Sequence, residues 1–208
     1  MGAVSPRWEW RAFAQDFGTI ETHLRRDATE RRQSSETYLV SAHRADINTK
    51  IRDGLLDIKV LQEINPHHLE LWQPVLKAAF PLTQASLGTM FGAWGLEPPF
   101  AGDLPVTESR LLDTLIRPEP SLAIVIVDKT RYGSIVDECL VEFAQVTFNG
   151  SPLKTIAVEM TDPDRVWRTV AALGLSTFEN VNYVRALMRF LGASHPDVCA
   201  TAPGRARL

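Results

Sequence analysis

Asn48–Leu61 reads NTKIRDGLLDIKVL, two extended runs meeting at Asp53-Gly54. Asp-Gly between alternating runs is a strong short-range signal for a β-hairpin. Side chains two apart share a face of a strand. Lys50 and Arg52 therefore lie on one face of the first run, with Ile51 on the other. In the second run Leu56, Ile58 and Val60 share a face opposite Asp57 and Lys59. The hairpin thus has one face suited to packing and one crowded with charge. By itself this pattern also describes an antiparallel hairpin with one face in water.

The composition narrows the options. A chain of 208 residues fits one large domain or two small ones. An apolar share of 45% is enough for a real core. The net charge of −3 argues against a general nucleic-acid surface, which would be basic. The two cysteines, Cys139 and Cys199, have no metal-ligand spacing and make no disulfide framework. No apolar run approaches the ~18 residues of a membrane-spanning helix, and Met1–Pro6 has no signal-peptide pattern. The expectation is a cytoplasmic protein with no membrane and no nucleic-acid partner.

Outward from the hairpin, Arg7–Phe13 alternates, with Trp8, Trp10 and Ala12 on the face opposite Glu9 and Arg11. This predicts a strand with both tryptophans packed under a helix. The Arg-rich segment 18–35 predicts a loop or short helix, with Arg25, Arg26, Arg31 and Arg32 solvated or near a cleft mouth. Glu36–Ala42 reads as a strand. Asn65-Pro66, followed by Leu69, Trp72, Leu76 and Phe80, predicts a helix. Thr83 caps another, which Gly95 ends. Residues 97–106 read as a loop, and 107–116 as either a helix or an extended run with Arg117 at its end. Ser121–Arg131 is rich in β-branched residues and predicts a strand, with a turn at Tyr132-Gly133-Ser134. Val136–Phe148 and Leu153–Met160 flank the hairpin dipeptide Asn149-Gly150. Asp162-Pro163 starts a helix ended by Gly174, and 179–191 forms a last one. The expected architecture is α+β, an antiparallel sheet or closed barrel of about seven or eight strands with flanking helices.

Charges recur on these strands at spacing two: Glu9 and Arg11, Lys50 and Arg52, Lys59, Lys129 and Arg131, Glu142, Glu159. In a closed barrel they would share the interior. Buried charge is costly unless paired or ligand-bound, so such an interior suits a polyanion with a divalent cation. In this order the features resemble the triphosphate tunnel metalloenzymes, or CYTH-like proteins, which are eight-stranded tunnel barrels acting on triphosphates or polyphosphate. Arg7-Trp8-Glu9-Trp10-Arg11 stands where that family opens with ExExK. Lys50 and Arg52 match its basic pair, Lys59 its lone lysine, and Lys129-Thr130-Arg131 its KxR strand. Glu142 and Glu159 match its late acidic strands, and Arg117 an intervening arginine. The chain departs from the pattern at Arg7, which replaces the first Glu, and at Leu140 and Ala157, which occupy the partner positions of the late carboxylates.

The resemblance implies a single domain over 1–208. Its barrel would span 7–174 with helices inserted at 66–96, then a C-terminal helix at 175–193 and a flexible tail at 194–208. It implies a metal-dependent phosphohydrolase acting on a triphosphate-containing small molecule or polyphosphate. Arg11, Lys50, Arg52, Lys59, Arg117, Lys129 and Arg131 would hold the substrate. Glu9, Glu142 and Glu159 would serve catalysis and bind Mg²⁺ or Mn²⁺. An adenylate cyclase needs the same triphosphate grip. The reduced carboxylate set also admits a non-catalytic polyanion-binding module with a degenerate metal site. The oligomeric state is not legible.

Overall fold

The computed structural model describes residues 5–98 and 105–194. Its strands are β1 (Arg7–Ala14), β2 (Glu30–Ser41), β3 (Ile47–Arg52), β4 (Leu55–Ile64), β5 (Glu70–Ala79), β6 (Leu122–Val136), β7 (Cys139–Phe148) and β8 (Ser151–Met160). They close into a barrel in the order β1-β5-β4-β3-β2-β6-β7-β8, every neighbouring pair antiparallel. The central hairpin forms as its sequence predicts, with Asp53 and Gly54 in the left-handed region. Asn149 and Gly150 make the corresponding turn between β7 and β8. An α+β closed barrel of eight antiparallel strands is therefore the observed fold.

Two outer cores cover the barrel wall. On one side, Leu39, Ile51, Leu56 and Ile58 pack beneath α2 (Gln84–Trp94) and the helical stretch that begins with α3 (Glu108–Arg110) and continues as a π-helical turn, Leu111–Ile116. Thr83 caps α2 by accepting from Ser86 N, and Gly95 ends it at φ 73°, as the sequence predicts. On the other side, Trp10, Ala12, Val141, Phe143, Ile156 and Val158 pack against α1 (Thr19–Arg26) and α4 (Pro163–Ala172). Trp8 joins this cluster, so both tryptophans face outward, opposite Glu9 and Arg11.

A third core lies inside. The C-terminal helix α5 (Tyr183–Ser194) sets Tyr183, Ala186 and Leu187 against Tyr38, Val40, Val125, Val127, Val146 and Phe148, whose side chains line the interior. One end of the barrel is thereby plugged, and the interior is a cup rather than a through-channel. Just before α5, Val181 N donates to Arg11 O at 2.7 Å, and Asn180 Oδ1 accepts from Arg11 N at 2.8 Å. These bonds use the β1 edge at the point where its pairing with β5 has ended.

Several expectations are corrected. The segment 66–80 is not a helix. Asn65 does accept from nearby backbone, His67 N at 3.0 Å and Leu69 N at 2.9 Å, but it closes a turn into β5. The helix-like spacing of Leu69, Trp72, Leu76 and Phe80 comes from a β-bulge. Lys59 pairs with Pro74 but Ile58 with Leu76, so Val75 is an extra residue. It switches the even positions from the inner face (Glu70, Trp72) to the outer core (Leu76, Ala78, Phe80). Pro74 is tolerated because it sits at the bulge, beyond the β1 pairing.

Tyr132-Gly133-Ser134 is no turn either, since β6 continues to Val136 and the chain reverses at Asp137-Glu138. The Arg-rich segment divides between α1 and the start of β2. The last helix begins at Tyr183, later than predicted, and most of 97–106 and all of the expected tail after Ser194 lie outside the described residues. None of the described helices is long and apolar enough to cross a membrane.

Candidate functional site

Alternation carries every interior charge. On β2, the positions Ser34, Glu36 and Tyr38 point inward; on β3, Lys50 and Arg52; on β6, Lys129 and Arg131. These groups meet at Glu36, whose side chain is fully buried. Its Oε2 accepts from Lys129 Nζ at 2.9 Å and from Lys50 Nζ at 3.0 Å. Its Oε1 lies 3.5 Å from Arg131 Nη2 and 3.6 Å from Arg52 Nη1. Cations from two strands therefore converge on one carboxylate supplied by a third. Lys129 also donates to Tyr38 Oη at 3.0 Å and stands 3.8 Å from the centre of the Tyr183 ring. Arg131 donates to Ser34 Oγ at 2.9 Å.

The electrostatics follow from burial. Desolvation would raise the Glu36 carboxyl, but Lys129 and Lys50 outweigh it and hold the group well below the usual carboxylate range. Burial pushes the Lys129 ammonium well below its ordinary value. Repulsion from Lys50 adds to that, and Glu36 restores only part. Lys50 is lowered for the same reason, burial first, with Glu36 opposing. An incoming anion would relieve both lysines. Two polar atoms also lack partners here: Arg131 Nε and Tyr183 Oη are buried and make no hydrogen bond among the described residues. An unpaired buried donor is costly, and a phosphate oxygen is a natural acceptor for it.

Next to this cluster lies an acidic corner. Arg11 Nε donates to Glu9 Oε1 at 2.6 Å, and Arg11 Nη1 and Nη2 lie 3.8 Å from Glu142 and Glu159. Arg131 Nη1 reaches Glu142 Oε2 at 4.0 Å and bridges the two groups. Glu9 is pulled below its ordinary value, because Arg11 and Lys59 overcome the effect of burial. Glu159 goes the other way, pushed up to about 7 by burial and then by the Glu9 charge. Lys59 acts on both carboxylates through space. Side-chain exposure rises from 3% at Lys129 to 15% at Arg131, 23% at Arg52 and 31% at Glu142, so the lumen opens away from the plug.

The interior therefore collects Glu9, Arg11, Lys50, Arg52, Lys59, Lys129, Arg131, Glu142 and Glu159. Arg117 is not among them. It follows the π-helical turn on the outside, exposed and paired with Asp113 at 3.4 Å. Of the Arg-rich segment, Arg32 reaches the rim beside Asp53, while Arg25 and Arg31 lie over Tyr132 outside. His67 and His68 are exposed, and His67 stacks on Trp167.

The sequence does not single out Glu36, Tyr38, Glu70 or Tyr183, and it places Asp57 on the charged face without a role in the site. Asp57 pairs with Arg52 at 3.5 Å. Glu70 is buried and accepts from Asn182 Nδ2 at 2.9 Å and Trp72 Nε1 at 3.1 Å. The period-two set Ser34, Glu36, Tyr38 was a signal of the kind used for the other strands. Nothing in the local sequence marked Tyr183.

The expected Mg²⁺ or Mn²⁺ can be tested against these donors. Such ions need several oxygens at about 2.0–2.6 Å from one point. Among the described residues no three His, Cys, Asp or Glu side chains are arranged that way. The oxygens of Glu9, Glu142 and Glu159 surround a guanidinium instead. The residues as arranged do not fit a divalent ion.

A closed antiparallel barrel of eight strands, with this charged interior, has the CYTH-type tunnel fold. Among solved structures the chain is similar to a candidate adenylate cyclase from Bacillus halodurans. The TM-score is 0.53 at 11% identity, over 89% of this chain and 98% of that one. It is also similar to an adenylyl cyclase candidate from Hippeastrum with a dominant triphosphatase activity. There the TM-score is 0.49 at 10% identity, over 88% and 95% of the two chains. No protein-family model matches the chain, and no curated protein matches it by sequence.

Proposed function

We propose that the barrel interior binds the triphosphate group of a small molecule or a short inorganic polyphosphate. The observation that carries this reading is the convergence of Lys50, Arg52, Lys129 and Arg131 on the buried Glu36. A cluster of this kind is no ordinary core, since replacing buried ion pairs by apolar groups is often neutral or stabilising. Glu36 gathers the cations, offsets their mutual repulsion and orders them before a ligand arrives. A linear chain of phosphates entering from the open end would meet Arg52 and Arg131 first and Lys50 and Lys129 last. The partnerless Arg131 Nε and Tyr183 Oη would receive its oxygens.

A second reading, hydrolysis of the bound phosphoanhydride, is favoured by Glu159. A carboxyl near 7 can take and return a proton at neutral pH, which suits a general base orienting water. A cyclase shares the phosphate grip and differs only in its nucleophile, for which these residues give no separate sign.

A thermal-shift screen with tripolyphosphate, ATP and polyphosphate, with and without Mg²⁺ or Mn²⁺, tests both readings. Specific binding raises the melting temperature by mass action. Stabilisation by tripolyphosphate but not by orthophosphate supports the binding reading, and no stabilisation by any of the three ends it. Phosphate release in the same samples decides for or against hydrolysis.

A further inference from the structure

Arg11 is an interior cation committed to carboxylates on every side of its guanidinium. It is 5% exposed, and each end of its guanidinium is committed: Nε to Glu9, Nη1 to Thr155 Oγ1 at 3.3 Å and towards Glu142, and Nη2 towards Glu159. The Tyr183 ring covers it at 4.7 Å. Its backbone is fixed on both sides, donating to Asn180 Oδ1 and accepting from Val181 N. The plug segment thus anchors the Arg11 main chain, while Glu9, Thr155 and the Tyr183 ring hold its guanidinium in the corner.

These contacts fill the place where an ion shared by Glu9, Glu142 and Glu159 would have to sit. A guanidinium already hydrogen-bonded to Glu9 Oε1 occupies that oxygen and repels a second cation at short range. The phosphate-facing cations lie elsewhere, around Glu36, and need no bridging metal to meet an anion. We propose that Arg11 is the resident cation of this carboxylate corner and that the lumen takes its oligophosphate as the metal-free anion. The first half stands on the geometry of Arg11 alone; the second rests on the phosphate-binding reading.

Two measurements on the full chain test this. In the first, Mn²⁺ is titrated into ligand-free protein and free Mn²⁺ is followed by electron paramagnetic resonance. The wild type is expected to leave the free-ion signal undiminished, whereas Arg11→Ala, which empties the corner, should remove Mn²⁺ saturably. Saturable binding by the wild type overturns the proposal, as does a folded Arg11→Ala that binds none. If Arg11→Ala fails to fold, the wild-type titration still decides.

In the second, tripolyphosphate is titrated by calorimetry in EDTA and in excess Mg²⁺. Binding should persist in EDTA and be no tighter with Mg²⁺, which competes for the anion. Loss of binding in EDTA, or a tightening of about tenfold with Mg²⁺ (~1.4 kcal/mol), contradicts it. If tripolyphosphate binds in neither medium, the phosphate reading fails, and the Mn²⁺ titration still judges the role of Arg11.

Discussion

Glu159 and Glu9 face each other across the β1–β8 ladder, yet their carboxyls are driven in opposite directions. The difference lies in Arg11, which hydrogen-bonds to Glu9 at 2.6 Å and only approaches Glu159 at 3.8 Å. The consequence for stability has a definite sign. Glu159 rises on folding from 4.5 to about 7, so its ionised form disfavours the native state. Stability from this group is therefore fully present below 4.5 and is lost as pH rises through about 7.

Glu159→Gln should accordingly raise the melting temperature above pH 7 and change it little near the unfolded value. At 1.36 kcal/mol per unit the gain is at most on the order of 3 kcal/mol. Melting curves across that range check it; an equal shift at both ends would remove the titration of Glu159 as the cause. At this scale the sequence was partly legible. Charges spaced by two identified Glu9, Arg11, Lys50, Arg52, Lys59, Lys129, Arg131, Glu142 and Glu159 as interior residues. Glu36 was passed over because a lone carboxylate in SSETYLV resembles the polar edge of a strand. Arg117 rests on the order of features and on an extended reading of 107–116, whereas that segment is helical and leaves Arg117 outside.

Among the elements, the C-terminal helix does the most to turn a barrel into a site. It closes one end, and its N-terminal segment fastens to β1 and β5. Asn182 is the fastening to β5: Nδ2 donates to both oxygens of the buried Glu70, and Oδ1 accepts from Arg185 N at 2.9 Å. Burial lifts Glu70 above its ordinary value even so. Asn182→Ala should cost on the order of 1–3 kcal/mol by leaving the buried Glu70 with Trp72 Nε1 as its remaining hydrogen-bond donor. It should also speed amide hydrogen exchange in α5 more than in β6 and β7. Exchange accelerated uniformly, or not at all, would mean that the plug is held by apolar packing alone.

Element type was well marked wherever a local signal and the fold agreed: Asp53-Gly54, Asn149-Gly150, the Thr83 cap and Gly95. It failed at β5, where the Val75 bulge moves apolar residues from one face to the other and so imitates a helical period. Asn65 reinforced the error, because an Asn that caps a helix and one that closes a turn make the same side-chain bonds.

For the molecule as a whole, the wall of the barrel is conventional and its interior is not. Two apolar cores clamp helices to the outside, and a third seals one end. The interior holds four ordered cations around Glu36 for an anion to meet. The most direct measurement of this claim is a calorimetric titration of tripolyphosphate into wild-type protein and Lys129→Ala. A desolvated, charge-assisted hydrogen bond contributes on the order of 1.5–3 kcal/mol. Loss of the Lys129 ammonium should therefore weaken binding by roughly ten- to a hundredfold, at 1.4 kcal/mol per decade. A Lys129→Ala protein that is folded and binds tripolyphosphate as tightly as the wild type would contradict the account.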